Sequence, residues 1–426
     1  MANCRYRSSS TGAACGRPEE LGAGGLCFFH SAKDRDPGVF SSNLEKLIAA
    51  GDGDWRGFVF PNGFELGPYS SPATGPRRID VMIDARGSTL GSVTLQHVQF
   101  SDTVNFSSSS FRGPVKLRAC TFDKAATFER CEFRDSVWIS TSFAGLASFS
   151  NCVFYARTKF LGAFLGDAHF AGCTFLDNVE FVGAIDSRIY AGSDKAPDST
   201  KRRLFFGRAD FALVTFKAPE RVQFRMVDLR SGIFYGTAVD KVSFVDVEWY
   251  QDALRRRGLF EEVRIRESSH PELLWPTIEA TYRNVRRALE ISKDFNAASD
   301  FYIGEMNARR QQQSSWHQRL FSVETLYGWL SRYGTSPGRA ALVLIGVLLV
   351  HLALSAYALA GPCVGSSDDI WRQASMRTIG LLSLIRSPAL DPLPGWWFLL
   401  GSTAQIAVAA QLAMLIVALR SRIKRG

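Results

Sequence analysis

The middle of the chain repeats large apolar residues at a fixed spacing that neither a helix nor an ordinary strand explains. Two sets recur every 21 positions, and they are Phe128, Phe149 and Phe170 and, three residues after each, Cys131, Cys152 and Cys173. At half that spacing an apolar residue recurs every ten or eleven positions, at Leu95, Phe106, Leu117, Phe128, Trp138, Phe149, Phe160, Phe170 and Phe181. Helices repeat every 3.6 residues and strands every 2.0. Self-similarity of this kind predicts a solenoid, whose units bury their apolar sides only against their neighbours.

Residues 90–250 resemble the pentapeptide-repeat family. Segments such as ATFERCEF, ASFSNCVF and AHFAGCTF place a small residue, a polar residue, then Phe, followed by two more residues, and a second Phe commonly follows five positions later. The resemblance implies a mainly β fold, a right-handed, four-sided parallel β-helix in which Phe lines the axis and Cys fills a second inward slot. We therefore expect the repeated Phe and Cys residues to be core, without a catalytic role. The pattern weakens at 182–204, which we predict to be a loop, and an extra residue in every ten or so predicts a bulge at one corner.

The first thirty residues carry a candidate metal site. Cys4, Cys15, Cys27 and His30 supply the Cys₃His set that structural Zn²⁺ sites use, and the Cys-x-x-His step is short enough for one turn to present both donors. The competing interpretation is a tail with incidental cysteines. Similar CxxH segments precede pentapeptide repeats in some bacterial proteins, which favours the metal site. With four protein ligands, the site would be structural.

Two apolar runs near the carboxyl terminus predict transmembrane helices. Residues 340–361 and 396–419 are each long enough to cross a bilayer. Arg332 and Arg339 precede the first run and a basic segment, 420–425, follows the second, so the positive-inside rule predicts that both termini are cytoplasmic. Polar residues inside the runs are His351, Gln405 and Gln411, which we expect to bond between helices.

The stretch between the two runs, 362–395, is too apolar for a simple loop. We expect either an interfacial amphipathic helix or a re-entrant element. The order of a helix, a segment that dips into the membrane and a second helix resembles a two-helix pore domain. Some pentapeptide-repeat proteins have such a domain at their carboxyl terminus. A potassium filter requires Thr-Val-Gly-Tyr-Gly, whereas Thr378, Ile379 and Gly380 are followed here by two Leu residues, so potassium selectivity is not expected.

Apolar residues at helical spacing predict helices after the repeats. Trp275, Ile278, Tyr282, Val285 and Leu289 form one such stripe within 271–312, and a second helix is predicted at 296–311. These helices would cap the open end of the solenoid. The expected order is a zinc knuckle (1–35), a linker or amino-terminal cap (36–89), the β-helix (90–250), a helical cap and juxtamembrane segment (251–335), and a two-helix transmembrane hairpin with a basic tail (336–426).

The charge distribution and the cysteines indicate which partners and which cellular compartment to expect. The net charge is +9, but residues 80–249 carry 20 Lys and Arg against 19 Asp and Glu, which argues against a nucleic-acid partner and against an acidic DNA mimic. Residues 1–30 lack the apolar core of a signal peptide, so we expect the thiols to stay reduced in the cytoplasm.

The sequence shows no enzyme motif, since the Gly-rich run at 22–27 precedes no strand–helix unit. We therefore expect a non-enzymatic interaction scaffold at the bacterial inner membrane. The alternative is a pore-forming membrane effector, gated by the cytosolic rod and serving in bacterial defence. Expected partners are an unidentified protein, membrane lipid and further copies of the chain that associate through the transmembrane helices.

Overall fold

The computed structural model describes residues 2–8, 12–33, 35–67, 75–183, 203–254, 256–266, 274–313, 315, 317, 322–360, 367–382 and 396–423. The chain divides into two compact units, Met1–Glu305 and Met306–Gly426. The first unit contains helix α1 (Pro37–Ala49), a long series of short strands, and helices α2 (Phe260–Arg266) and α3 (Trp275–Ile291). Helix α4 (Phe295–Gln311) follows, and the second unit continues with α5 (Val323–Ser331), α6 (Pro337–Leu359), α7 (Ser367–Leu382) and α8 (Trp396–Ile423).

The strands of the first unit are β1 Phe64–Leu66, β2 Arg77–Ile79, β3 Ile83–Asp84, β4 Thr89–Leu90, β5 Val93–Gln96, β6 Val98–Phe100, β7 Val104–Asn105, β8 Ser110–Phe111, β9 Val115–Phe122, β10 Ala126–Thr127, β11 Glu132–Phe133, β12 Val137–Phe143, β13 Ala147–Ser148, β14 Val153–Phe154, β15 Thr158–Phe164, β16 Ala168–His169, β17 Thr174–Phe175, β18 Val179–Gly183, β19 Ala209–Asp210, β20 Thr215–Phe216, β21 Val222–Leu229, β22 Gly232–Ile233, β23 Ser243–Gln251 and β24 Arg257–Gly258.

These strands form three sheets whose order follows a solenoid. One sheet runs β1-β5-β9-β12-β15-β18-β21-β23-β24, with β6 beside β9 and β2 beside β6. The second runs β22-β19-β16-β13-β10-β7-β3 and the third runs β20-β17-β14-β11-β8-β4. Every described strand pair is parallel except β23 with β24. Except at β24, each neighbour within a sheet comes from the next coil of the chain, so the predicted β-solenoid is confirmed.

Four columns of stacked side chains fill the interior. Two of them are Phe106, Phe128, Phe149, Phe170, Phe211 and Phe234, and Phe111, Phe133, Phe154, Phe175 and Phe216. The others are Phe100, Phe122, Phe143, Phe164 and Phe205, and Phe160, Phe181, Phe224 and Phe244. Most successive rings lie nearly parallel, for example Phe133 and Phe154 with centroids 4.7 Å apart and planes 2° apart. One ring per face and coil explains the large number of Phe residues.

The predicted cysteines occupy a second inward position, and each thiol bonds to the coil before it. Cys131 donates to the Phe106 carbonyl at 3.0 Å, Cys152 to Phe128 at 2.7 Å and Cys173 to Phe149 at 2.8 Å. Burial raises the pKa of Cys131 and that of Cys152 well above the usual range, so these thiols stay protonated. They act as small core residues with one satisfied donor each.

The corners of the coils explain the predicted extra residue. In each coil the residue two positions after the first-column Phe has a left-handed backbone, and these residues are Ser108, Arg130, Asn151, Gly172, Leu213 and Gly236. A second corner carries the bulge. Ser140 pairs with Arg118 but Thr141 pairs with Cys120, so Ala119, with φ of 48°, is the inserted residue.

The structure corrects two predictions made from the sequence, the orientation of Trp138 and the start of the loop at 182–204. Trp138 is not part of the inward ladder, because Ile139 pairs with Leu117 and Phe160 and takes the inward position. Trp138 instead points outward and is 42% exposed. The predicted loop at 182–204 is also too long at its start, because Val182 and Gly183 belong to β18, while residues 184–202 lie outside the described residues.

Helices α3 and α4 pack on the last coil. Phe301 of α4 lies edge-on against Trp249 of β23, with ring centroids 4.9 Å apart, and is fully buried. The apolar stripe predicted for α3 is also buried, at Ile278, Tyr282 and Val285. These side chains cover the final aromatic layer, which a solenoid would otherwise expose to solvent.

The second unit contains two helices, α6 and the Gly401–Arg420 part of α8, that are long and apolar enough to cross a membrane. Helix α7 covers part of the stretch 362–395, for which either an interfacial helix or a re-entrant element was expected. Residues 361–366 and 383–395 lie outside the described residues. Ala374 of α7 packs with Ala356 and Leu359 of α6. Thr378, Ile379 and Gly380 are helical, so this segment does not have the extended backbone of a potassium filter.

Candidate metal centre

Two short pieces of backbone bring Cys4, Cys15, Cys27 and His30 together. Antiparallel bridges between Asn3 and Pro18 and between Arg7 and Ala14 form a hairpin that carries the first two cysteines. The Cys27 carbonyl accepts the backbone N–H of His30 at 3.1 Å, which closes the turn predicted from the Cys-x-x-His step. Residues 23 to 26 positions apart in the chain thereby become neighbours.

The four side chains have the arrangement of a single ion site. Their ligand atoms all lie within 4.8 Å of one another and all four residues are buried. The Cys15 and Cys27 sulfurs are 3.9 Å apart, and His30 Nδ1 is 3.1 Å from Cys27 Sγ and 3.5 Å from Cys4 Sγ. A tetrahedron with metal–sulfur bonds of about 2.3 Å has edges of about 3.8 Å. The four residues can therefore bind one metal ion such as zinc.

Contacts around the site orient the histidine. The Arg56 carbonyl lies 2.8 Å from His30 Nε2 and accepts its N–H, which leaves Nδ1 as a lone pair directed at the sulfurs. The Tyr6 ring stacks on the imidazole with centroids 3.8 Å apart and planes 14° apart. Metal-binding histidines are commonly held by such a second hydrogen bond. Tyr6 and Arg56 could not be identified from the sequence, because neither belongs to the spacing of the ligands.

Burial and the neighbouring hydrogen-bond donors have opposite effects on the thiols of the site. Burial raises the pKa of the Cys27 thiol to about 12 and lowers the pKa of His30. The Cys27 backbone N–H donates to Cys4 Sγ at 3.2 Å, and the Arg17 guanidinium lies 3.8 Å from Cys15 Sγ. These donors suit thiolates, yet burial without a metal keeps Cys27 protonated. A bound divalent ion would supply the positive charge that stabilises the thiolates.

The site is attached to the first coils of the solenoid. The Phe29 carbonyl accepts the Val59 N–H at 2.8 Å, and the Phe29 ring stacks on Phe58 with centroids 4.6 Å apart. Arg17 forms an ion pair of 2.6 Å with Asp52. Together with the hydrogen bond from His30 to Arg56, these contacts make the cluster part of the amino-terminal end of the rod.

The polar residues predicted in the apolar helices have different environments. His351 Nδ1 lies 3.0 Å from the Thr378 hydroxyl of α7, and its Nε2 lies 3.5 Å from the Ser355 hydroxyl. Gln411 is buried and donates to the Ala340 carbonyl of α6 at 2.8 Å. Gln405 is half-buried and has no hydrogen bond to a described residue. Interhelical bonding is therefore observed for His351 and Gln411.

The solenoid matches a known family over part of its length. Residues 139–185 match the family model for pentapeptide repeats (9 copies). No curated protein and no solved structure matches the chain. The matched residues begin within β12 and continue through β18, and they include the buried Cys152 and Cys173.

Proposed function

We propose that this chain, a pentapeptide-repeat β-solenoid protein, is a non-enzymatic scaffold that presents its rod to a protein partner at the cytoplasmic face of a bacterial inner membrane. The observation that carries the proposal is the division of side chains in the solenoid. Aromatic rings, thiols and small residues fill the interior, and polar side chains predominate at the outward positions, as in the in-register row of Lys159, Glu180 and Gln223. Flat rows of this kind offer a rigid surface for recognition at little entropic cost.

The membrane anchor in this proposal is the pair of helices α6 and α8. Exposed apolar side chains on α6, among them Leu342, Leu349 and Tyr357, would contact lipid. The basic residues before α6 and after α8 favour a cytoplasmic location for both termini. We further propose that the helices associate with those of other copies.

The anchor is tested with the full chain expressed in a bacterial host. We expect it to remain in the membrane pellet after alkaline carbonate washing and to float with vesicles in a density gradient. Tags at either terminus should resist protease in intact spheroplasts and become sensitive in inverted vesicles. Release by carbonate, or cleavage of either tag in intact spheroplasts, would refute the proposed topology.

We propose that the metal centre holds one structural Zn²⁺ ion. Three thiolates and one neutral imidazole match the preferred tetrahedral ligand set of zinc. With Cys4, Cys15, Cys27 and His30 all bound, no position remains for a catalytic water. The ion would order the amino-terminal segment against the first coils, since its described residues, 2–8 and 12–33, form only isolated bridges, turns and bends.

A second candidate function is an oligomeric pore-forming effector. It is favoured by the position of α7, whose Thr378 hydroxyl meets His351 well inside α6, about 12 Å from the Leu359 end at the usual helical rise. If α6 spans the membrane, α7 enters it too. Expression of the full chain with a membrane-potential dye separates the two functions. Depolarisation that His351→Leu abolishes at equal protein level supports the effector, and an unchanged potential supports the scaffold.

A further inference from the structure

An exposed tryptophan lies between two lysines on one flat face of the rod. Trp138 of β12 pairs with Lys116 of β9 on one side and with Lys159 of β15 on the other. In-register parallel strands place such neighbours about 4.8 Å apart. Trp138 is 42% exposed, and Lys159 Nζ lies 5.3 Å from its ring centroid. Arg118, two residues after Lys116, points out on the same face.

The positive charges around Trp138 are unequally compensated. Lys159 forms an ion pair of 2.9 Å with Glu180, which also pairs with Arg157 at 2.5 Å. Lys116 and Arg118 are exposed, and neither has an ion pair or side-chain hydrogen bond with a described residue. Their partners along the strand register are also uncharged, since Lys116 lies beside Thr94 and Arg118 beside Gln96. Between β9 and β18 the face is therefore basic at β9 and neutral at β18.

We propose that Lys116, Arg118 and Trp138, which we call the Trp138 patch, bind an acidic, extended segment of the partner protein. This inference rests on the proposed scaffold function and specifies which face binds and what it binds. Trp138 would anchor an apolar side chain of the segment, because Trp and Arg are enriched among the residues that dominate binding energy. Lys116 and Arg118, both on β9, would pair with carboxylates beside that anchor.

The same residues fit a nucleic acid less well. Affinity for a phosphate backbone grows with the number of cations that contact it, and sites for single strands follow the backbone over several nucleotides. The cations of this face that have no described ion-pair partner are Lys116, Arg118 and, four coils along the face, Arg225. Two neighbouring cations and one ring match a short acidic peptide segment.

Fluorescence anisotropy with the full chain in detergent tests the Trp138 patch. The probe is a labelled 12-residue peptide of alternating Glu and Thr with one central Phe. A peptide with Lys in place of Glu and a labelled 12-nucleotide oligo-dT serve as comparison ligands. We expect the acidic probe to bind at least tenfold more tightly than either of them. Trp138→Ala should weaken its binding at least fivefold, and Lys116→Glu with Arg118→Glu should weaken it more.

Matched variants test whether binding depends on the Trp138 patch itself and not simply on positive charge or on an exposed aromatic ring. Tyr155→Ala removes an aromatic ring that is 44% exposed directly after β14, a strand of another sheet, and Arg130→Glu with Lys241→Glu makes the same charge change at exposed turns. Both should leave binding of the acidic probe unchanged. Equal losses in these controls, equal or tighter binding of oligo-dT, or no preference for the acidic probe would overturn the inference. Carbonate extraction reports on the anchor independently, so a membrane-bound chain that ignores the probe refutes this inference alone.

Discussion

The buried carboxyl group of Glu261 takes the place of a missing coil beside Phe234. In earlier coils the first-column Phe donates its N–H to a carbonyl of the next coil, as Phe149 does to His169 at 2.7 Å and Phe211 to Ile233 at 2.8 Å. Strand β22 is the last of its sheet, so the Phe234 N–H has no such carbonyl. Glu261 of α2 accepts this hydrogen bond instead. The solenoid thus ends on a side chain that satisfies a buried backbone donor.

This arrangement predicts that stability falls as the pH rises. Burial raises the pKa of Glu261 to about 7 from its usual 4.5, although the Phe234 N–H opposes the shift; Asp210 nearby raises it and Arg264 lowers it. Because the folded protein binds the proton more tightly than the unfolded chain, the stabilisation is complete below pH about 4.5 and is lost as the pH rises through about 7. The difference is on the order of 3 kcal/mol.

Glu261→Gln tests this dependence, since the amide keeps an acceptor oxygen and carries no charge. We expect the variant to melt above the parent chain at pH 8 and to differ little from it at pH 4.5, as measured by calorimetry of the full chain in detergent. Glu220→Gln, an exposed residue of the same solenoid, is the matched control and should follow the parent. A variant that melts below the parent at pH 8 would contradict the prediction.

Leu213 occupies a corner where its side chain strains the backbone. Its φ is 57°, and the same corner is Asn151 and Gly172 in two earlier coils and Gly236 in the next. Leucine in the left-handed region costs about 1–2 kcal/mol, and its side chain is 64% exposed, so little packing offsets the strain. We expect Leu213→Asn to stabilise the solenoid by about 1 kcal/mol in urea unfolding, since Asn tolerates this conformation. Leu176→Asn, at an exposed position outside this corner, should give no gain.

Metal content should depend on the four amino-terminal ligands and not on the cysteines of the solenoid. We expect about one zinc per chain by mass spectrometry of the purified full-length protein. Cys27→Ser should abolish it and make residues 2–33 sensitive to limited proteolysis. Cys152→Ser is the matched control, because its hydroxyl can still donate to the Phe128 carbonyl and its thiol is no ligand. Zinc retained after Cys27→Ser, or lost after Cys152→Ser, would contradict the assignment of the site.

The 21-residue period of Phe and Cys was sufficient to predict the solenoid. Each coil repeats the same contact, so one spacing determines the inward direction of many side chains at once. The prediction went wrong by one residue at Trp138, because counting aromatic residues ignores the bulge at Ala119, which moves the inward position to Ile139. A bulge changes register through backbone conformation, and the identity of one residue does not reveal it.

At the metal cluster and at the end of the rod, residue types could be recognised in the sequence, but contacts between residues far apart in the chain could not. Cys4, Cys15, Cys27 and His30 could be selected from the sequence, because few other residue types bind zinc. The roles of Arg56 and Glu261 could not, since each depends on a contact with a residue 26 or 27 positions away in the chain. Arg56 acts through its backbone carbonyl, which every residue has, and Glu261 acts through a contact that only the fold creates. Neither role leaves a pattern in the sequence.

The two glutamines of α8 looked equivalent in the sequence, but their contacts predict different effects. Gln411 is 2% exposed, and its Nε2 donates to the Ala340 carbonyl at 2.8 Å and to the Leu330 carbonyl at 3.3 Å. Gln411→Leu removes both bonds, so α8 would hold α5 and α6 less firmly. We expect a loss of about 1 kcal/mol, the usual scale for such bonds between membrane helices, measured by SDS titration of the full chain in mild detergent. Gln405→Leu, which breaks no hydrogen bond to a described residue, makes the same chemical change and should be neutral. Equal losses in both variants would show that side-chain polarity itself, and not the contact with Ala340 and Leu330, is what stabilises this unit.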